Sequence, residues 1–288
     1  MTVVAVVFDF DDTLMPDSTS ALLRAHDLDP QEFWTQRAHA LVQQGYDPPL
    51  AYMNLLLSEV GAGRHLGDLT NEGLREFGGT LDGQFFDGIP DVFERIRVDV
   101  DEFRDITVEF YIISGGLKEV ILGSTVVDQH FTGVYGCEFG TDLDTGVIKE
   151  IKRCITFTEK TRYLFEINKG VDPEQSESQP QLVNEDVPPA DRRVPFDRII
   201  YVGDGLTDIP CFSLVGHNGG TAFGVFDPTR ELSARQAFQQ FLKAGRVVSA
   251  HHPRFGEDDE LGSLLQIAVA SVCTRITLER DTAARLRR

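Results

Sequence analysis

The sequence predicts an α/β protein: a mainly parallel sheet flanked by helices, interrupted after its first strand by an all-helical insert. Two observations carry that prediction. From Gly88 onward, short β-branched apolar runs alternate with stretches of helical periodicity, the pattern that builds parallel sheets between helices. Between the first apolar run and that alternation, residues 16–85 carry helix signals only, far more chain than a strand-to-helix connection needs. The expected division is a core of residues 1–15 and 86–288, a helical cap of residues 16–85, and an acidic insertion loop, 171–195, within the core.

Composition narrows the function. The 288 residues, 41% of them hydrophobic, suffice for a large core and an enzyme. A formal charge of −19 argues against nucleic acid as a partner, because a phosphate-backbone footprint is basic. The four cysteines are widely separated and form no C-x-x-C pair, so they suggest neither a zinc site nor a disulfide framework and fit a reduced cytoplasm. No basic leader precedes the first strand and no apolar run approaches the length of a membrane span, so a cytoplasmic protein without a membrane partner is expected.

Taken in order, the first element is Val3 to Leu14, VVAVVFDFDDTL. Its apolar half is a buried strand, and Asp9, Asp11, Asp12 and Thr13 follow at its end. With a strand period of two, Asp9 and Asp11 point to the same side, and carboxylates so close raise one another's pKa unless a cation sits among them. The insert follows. Asp29-Pro30 with Glu32 caps a helix running to Gly45, Pro48-Pro49 starts a second that ends near Gly61, and Thr70 to Phe77 is a third. The GAGRHLG segment, Gly61 to Gly67, follows a helix rather than a strand, so it is no dinucleotide loop.

In the core, a helix from Ile89-Pro90 through about Arg97 and a charged surface insertion, VDVDEFRD, lead to the strand Thr107 to Ile113. Ser114-Gly115-Gly116 then forms the turn into a helix over Leu117 to Val127. Free N–H groups at such a turn suit an anion. Gly133 to Phe139 and Val147 to Phe157 read as a hairpin around Asp142 to Gly146, and Lys160 stands where the chain enters the helix Thr161 to Asn168. The strand Arg198 to Val202 runs into GDGLTD, placing Asp204 and Asp208 at its end. A strand at Thr221 to Val225, a helix from Ser233 to Lys243, a short strand at Val247 to Ser249 and a terminal helix from Leu261 complete the chain. The arginines near its end, Arg275, Arg280, Arg285, Arg287 and Arg288, read as solvated surface.

DFDDT, the Ser114 of SGG, Lys160 and GDGLTD occur in the order and spacing of the four motifs of the haloacid dehalogenase-like (HAD) hydrolase superfamily, which the chain resembles over nearly its whole length. The resemblance implies a Rossmann-like three-layer core and a C1-type cap as in the phosphoserine phosphatase-like branch. It implies Asp9 as nucleophile, Asp11 as general acid and base, Ser114, Gly115 and Lys160 as phosphate-binding groups, and Thr13 and Asp208 in support. The implied cofactor is Mg²⁺, held by Asp9, Asp11 through its backbone carbonyl, and Asp204, and the implied partner is a small phosphorylated metabolite. Asp11 argues against a dehalogenase, and the lack of any lysine before Lys118 against a phosphonatase. Ser18 stands where phosphoserine phosphatases carry a glutamate, and Arg24, Arg37 and Arg64 leave room for an anionic leaving group. Asp12 stands where the family often has glycine and has no assigned role. A phosphotransferase using the same aspartyl-phosphate, or a non-catalytic phosphate-ligand binder, are the alternatives.

Overall fold

The computed structural model describes residues 1–286; Arg287 and Arg288 lie outside it. Seven strands form one sheet in the order β4-β3-β2-β1-β5-β6-β7. They are β1 Thr2–Phe8, β2 Ile106–Leu117, β3 Gly133–Thr141, β4 Ile148–Arg153, β5 Ile199–Gly203, β6 Thr221–Val225 and β7 Ser249–His251. All neighbours are parallel except β3 and β4, the expected hairpin. Strand β1 is central and covered on both faces, which is why it reads as an unbroken apolar run rather than an alternating one. The chain leaves β1 toward β2 on one side and returns to β5 on the other, so the carboxyl end of β1 lies at the switch point where open parallel sheets bind ligands.

The insert between β1 and β2 contains α1 Ser18–Ala25, α2 Pro30–Glu32, a wide π-turn at Phe33–Ala38 running on into α3 His39–Gln43, α4 Pro48–Ser58 and α5 Asn71–Gly79. Side chains set the starts: Asp17 accepts from Thr19 N, Asp29 from Gln31 N ahead of Pro30, and Thr70 from Gly73 N. In the core, α6 Asp91–Asp101 packs with α13 Glu260–Leu286 against β2 and β1. On the other face α9 Glu159–Lys169 and α11 Ile209–His217 pack together against β2 and β5. The shorter helices are α7 Lys118–Leu122, α8 Thr125–His130, α10 Pro173–Ser178 and α12 Glu231–Gln236.

Several sequence expectations are corrected. The VDVD of the supposed surface insertion, residues 98–101, is the last turn of α6, because Val100 closes its buried stripe. Ser114-Gly-Gly is not a strand-to-helix turn: β2 continues through it to Leu117, and the helix expected over Leu117 to Val127 is two short ones broken at Gly123. The 171–195 stretch carries short elements of its own. It holds α10 and two 3-10 turns, Pro180–Asn184 and Pro189–Asp191, tied down by Lys169 Nζ, which donates to the carbonyls of Val183 and Glu185 at 2.7 Å each. The last strand is β7, two residues later than expected. The terminal arginines are not all idle surface: Arg275 pairs with Asp197, and Arg280 donates to the carbonyls of Arg104 and Asp105, fastening α13 to the chain just ahead of the central strands β5 and β2. Helix α13 is also long and apolar enough to cross a membrane, contrary to the expectation that no run was. It buries Leu261, Leu265, Val269, Val272, Cys273 and Ile276 against this protein's own core.

Candidate active site

The parallel register explains how residues nearly 200 apart converge. Phe8 on β1 is level with Ile112 on β2 and Val202 on β5, so Asp9, Ser114 and Asp204 all emerge just past the same line. Asp9 N continues the ladder by donating to Val202 O at 2.9 Å. Lys160, in the first turn of α9, is wholly buried and lies between two carboxylates, 2.8 Å from Asp9 Oδ2 and 2.7 Å from Asp208 Oδ1. Asp9 Oδ1 accepts from Phe10 N at 2.7 Å. Thus the carboxylate of Asp9 is held at both oxygens and cannot rotate freely.

Asp208 is fixed more firmly still. Its Oδ1 also accepts from Tyr201 OH at 2.7 Å and its Oδ2 from Gly205 N at 2.9 Å. A Cβ on Gly203 would fall 2.5 Å from its carboxyl carbon, so the first glycine of GDGLTD is needed to seat it. Thr13 Oγ1 reaches Asp204 Oδ1 at 3.4 Å. Carboxylate oxygens of Asp9, Asp204 and Asp208 lie within 4.8 Å of one another, an all-oxygen donor set that suits a hard divalent cation. The Asp11 side chain is outside this cluster. Its Oδ1 accepts from Ser18 N at 2.7 Å, at the start of α1, while its Oδ2 rests against Gly116, where a Cβ would be only 2.4 Å away.

The electrostatics follow from burial. Desolvation, then the charge of Asp208, push Asp9 up to about 6 even though Lys160 and the Phe10 N–H favour its ionised form. Asp204 is raised well above the usual carboxylate range by burial and by the charges of Asp9, Asp208 and Asp12. Asp11 is raised likewise, by burial and then by Asp17, against the Ser18 hydrogen bonds, so its neutral, proton-carrying form is favoured. For Lys160 burial works downward, but the carboxylates of Asp208 and Asp9 outweigh it and keep the ammonium charged.

On the β2 side, Ser114 Oγ is buried and accepts from Gly116 N at 3.0 Å, which leaves its hydroxyl proton unspent. The carbonyl of Gly115 accepts from Tyr52 OH at 2.8 Å and from the Cys137 thiol at 3.3 Å. Asp12 turns away from the cluster: its φ is 56° and its Oδ2 pairs with Arg230 Nη1 at 3.2 Å. Arg37 is occupied by Glu59 at 2.6 Å, and Arg24 and Arg64 are exposed.

Sequence reading missed Tyr52, Tyr201, Cys137 and Arg230. Tyr201 left a trace, one hydroxyl in the otherwise apolar run of β5, since a buried tyrosine hydroxyl usually finds a partner. The other three meet the site only through the fold.

The sheet order and the helical insert after β1 are those of a HAD-like fold. No family model matches the chain. A probable phosphoserine phosphatase from Vibrio cholerae is similar in structure, with a TM-score of 0.54 at 12% identity over 95% of this chain and 67% of that one. A HAD family hydrolase from Salmonella enterica serovar Typhi aligns with a TM-score of 0.48 at 16% identity over 76% of this chain, which spans only 62% of that protein. In sequence, an uncharacterised protein of Borreliella burgdorferi is 27% identical over 237 residues, 75% of this chain and 79% of that one.

Proposed function

We propose that the protein is a Mg²⁺-dependent phosphatase that hydrolyses a small phosphomonoester through an aspartyl-phosphate. The observation that carries this reading is the buried Lys160 clamped between Asp9 and Asp208. It presents Asp9 as a fixed carboxylate nucleophile with a cation beside it for phosphoryl oxygens. Of the three clustered carboxylates, Asp9 and Asp204 would hold the metal, with the backbone carbonyl of Asp11 as a further ligand, while Asp208 is spent on Lys160, Tyr201 and Gly205 N. Bound there, Mg²⁺ would neutralise the carboxylates and phosphate together.

The chain's own residues supply the rest. Asp9 attacks phosphorus while the bond to the leaving alcohol breaks, and Asp11 gives that oxygen its proton. Asp11, now a carboxylate, takes a proton from water as the water attacks phosphorus, releasing inorganic phosphate and the Asp9 carboxylate. Ser114 donates its free hydroxyl proton, and Lys160 its charge, to the phosphoryl oxygens throughout. Asp208 keeps Lys160 in place. The helices of residues 16–85 act as the cap over the leaving group, a small phosphorylated metabolite of the cytoplasm. The test is turnover of p-nitrophenyl phosphate with Mg²⁺, expected to vanish on chelation and in Asp9→Asn. Undiminished turnover by a folded Asp9→Asn protein overturns the mechanism.

A further inference from the structure

We propose that Tyr52 is a positioning residue for phosphoryl binding: its hydroxyl, reaching in from the helical insert, sets the Gly115–Gly116 peptide that orients Ser114. The inference rests on the phosphatase reading and extends it to a residue outside the four motifs.

The stretch it acts on is the end of β2, where the register with β3 shifts between Ile113 and Leu117. Gly115 and Gly116 lie in that irregularity with no Cβ to restrict them, so a contact from outside the ladder helps to set their peptide plane. That contact is the Gly115 carbonyl, which takes one donor from each side: the Cys137 thiol from β3 at 3.3 Å and Tyr52 OH from α4 at 2.8 Å. A thiol is a weak donor, so the phenol dominates. Because a peptide unit is planar and trans, pinning the Gly115 C=O toward α4 turns the Gly116 N–H to the opposite side. There it donates to Ser114 Oγ at 3.0 Å. This bond uses one lone pair of the serine oxygen and so aims its proton. Hence a hydroxyl on the insert fixes, through one peptide plane, the donor that the phosphoryl group is to meet.

Tyr52 is itself well held. It is only 5% exposed, its ring packs against Trp34 with centroids 5.6 Å apart, and Trp34 Nε1 donates to Ser20 Oγ at 2.9 Å. Burial raises the phenol above its ordinary range, so it stays protonated and remains a donor. Pro49, one turn earlier on α4, lies 4.0 Å from where a Gly115 Cβ would stand, so α4 passes close to Gly115. Losing the hydroxyl leaves the carbonyl still bonded to Cys137, which separates orientation from stability.

The experiment compares the full chain with Tyr52→Phe and Tyr52→Leu. In Tyr52→Phe, kcat/KM for p-nitrophenyl phosphate is expected to fall about tenfold, the size of one well-aimed hydrogen bond. The dissociation constant for inorganic phosphate, measured calorimetrically with Mg²⁺, is expected to rise by a similar factor while the unfolding midpoint stays put. Tyr52→Leu, which also removes the ring, is expected to lower the midpoint as well. A purely structural tyrosine would instead give Tyr52→Phe full activity and wild-type phosphate affinity, which overturns the inference alone. A wild-type protein that neither turns over phosphomonoesters nor binds phosphate overturns the phosphatase reading and this inference with it.

Discussion

At the scale of single residues, the site tolerates almost no added volume. Gly116 shows this best, because a methyl group there would sit 2.4 Å from Asp11 Oδ2 and 3.2 Å from Ser114 Oγ. Gly116→Ala must therefore displace the Asp11 carboxylate, the proton donor of the proposed mechanism. A misplacement of about 1 Å costs on the order of a hundredfold in rate, so kcat is expected to fall by that much while the unfolding midpoint changes little. Wild-type kcat in Gly116→Ala would show that Asp11 is not the proton carrier. Asp12 is the contrasting case. Its left-handed φ of 56° explains why glycine suits the position, and its exposed pair with Arg230 explains what an aspartate adds. For Asp12→Gly the conformational relief, about 1 kcal/mol, offsets an ion pair worth at most about 1 kcal/mol, so stability should barely change. A β-branched residue has neither compensation. Asp12→Val is expected to cost about 2 kcal/mol in urea unfolding.

Among the elements, two contacts show how the insert meets the core and how the β3–β4 hairpin is held together. Helix α5 meets the α7–α8 turn backbone to backbone: a Cβ on Gly78 would lie 1.9 Å from Val120 O, and one on Gly123 1.9 Å from Arg75 O. Gly78→Ala would gain up to about 1 kcal/mol of helix propensity, but overpacking against a carbonyl costs about 1–3 kcal/mol, and the clash wins. A net loss of up to about 2 kcal/mol is expected by chemical denaturation. In the β3–β4 hairpin, buried Glu138 pairs with Lys152 at 2.6 Å and Arg153 at 2.9 Å. Burial alone would raise its pKa, yet Lys152, Lys118 and Arg153 together hold it below the ordinary 4.5. A depressed carboxylate stabilises the fold above its unfolded pKa, and that contribution is lost as pH falls through the folded value. Glu138→Gln is therefore expected to lower stability by about 1–2 kcal/mol at neutral pH, with the gap to wild type closing below pH 4.5. Parallel melting curves at the two pH values check it. Glu138 and Gly78 also show why much of the structure was not legible in sequence. The hairpin announced itself locally, through Asp142 to Gly146 and the apolar strand before it, and so did β1 and the carboxylates at its end. Whether α5 docks on α7, or Tyr52 on Gly115, depends on which surfaces the finished fold brings together. No local pattern encodes that. The extension of β2 through Ser114-Gly-Gly was missed for the converse reason: glycines signal a turn, and here they serve close approach to Asp11 and to α4.

For the whole molecule, charge is the deciding quantity. The chain carries a formal −19, and Asp9, Asp11, Asp12, Asp204 and Asp208 crowd the carboxyl edge of one sheet against Lys160 and Arg230. The ionised form of Asp204 in particular is opposed by burial, Asp9, Asp208 and Asp12, so without a cation this edge works against the fold. A divalent ion that binds only the folded state adds RT ln(1 + [L]/Kd), about 2.7 kcal/mol at a hundredfold excess over Kd. Thermal unfolding should accordingly shift upward with Mg²⁺ and return on chelation, and the shift should persist at constant ionic strength, because a specific site is not a screening effect. Asp204→Asn separates the two halves of the argument. Removing one opposed charge should make the metal-free protein more stable than wild type, while removing a ligand should abolish most of the Mg²⁺ increment. Equal increments in wild type and variant would mean that the ion stabilises through diffuse charge alone, and that Asp204 does not hold it.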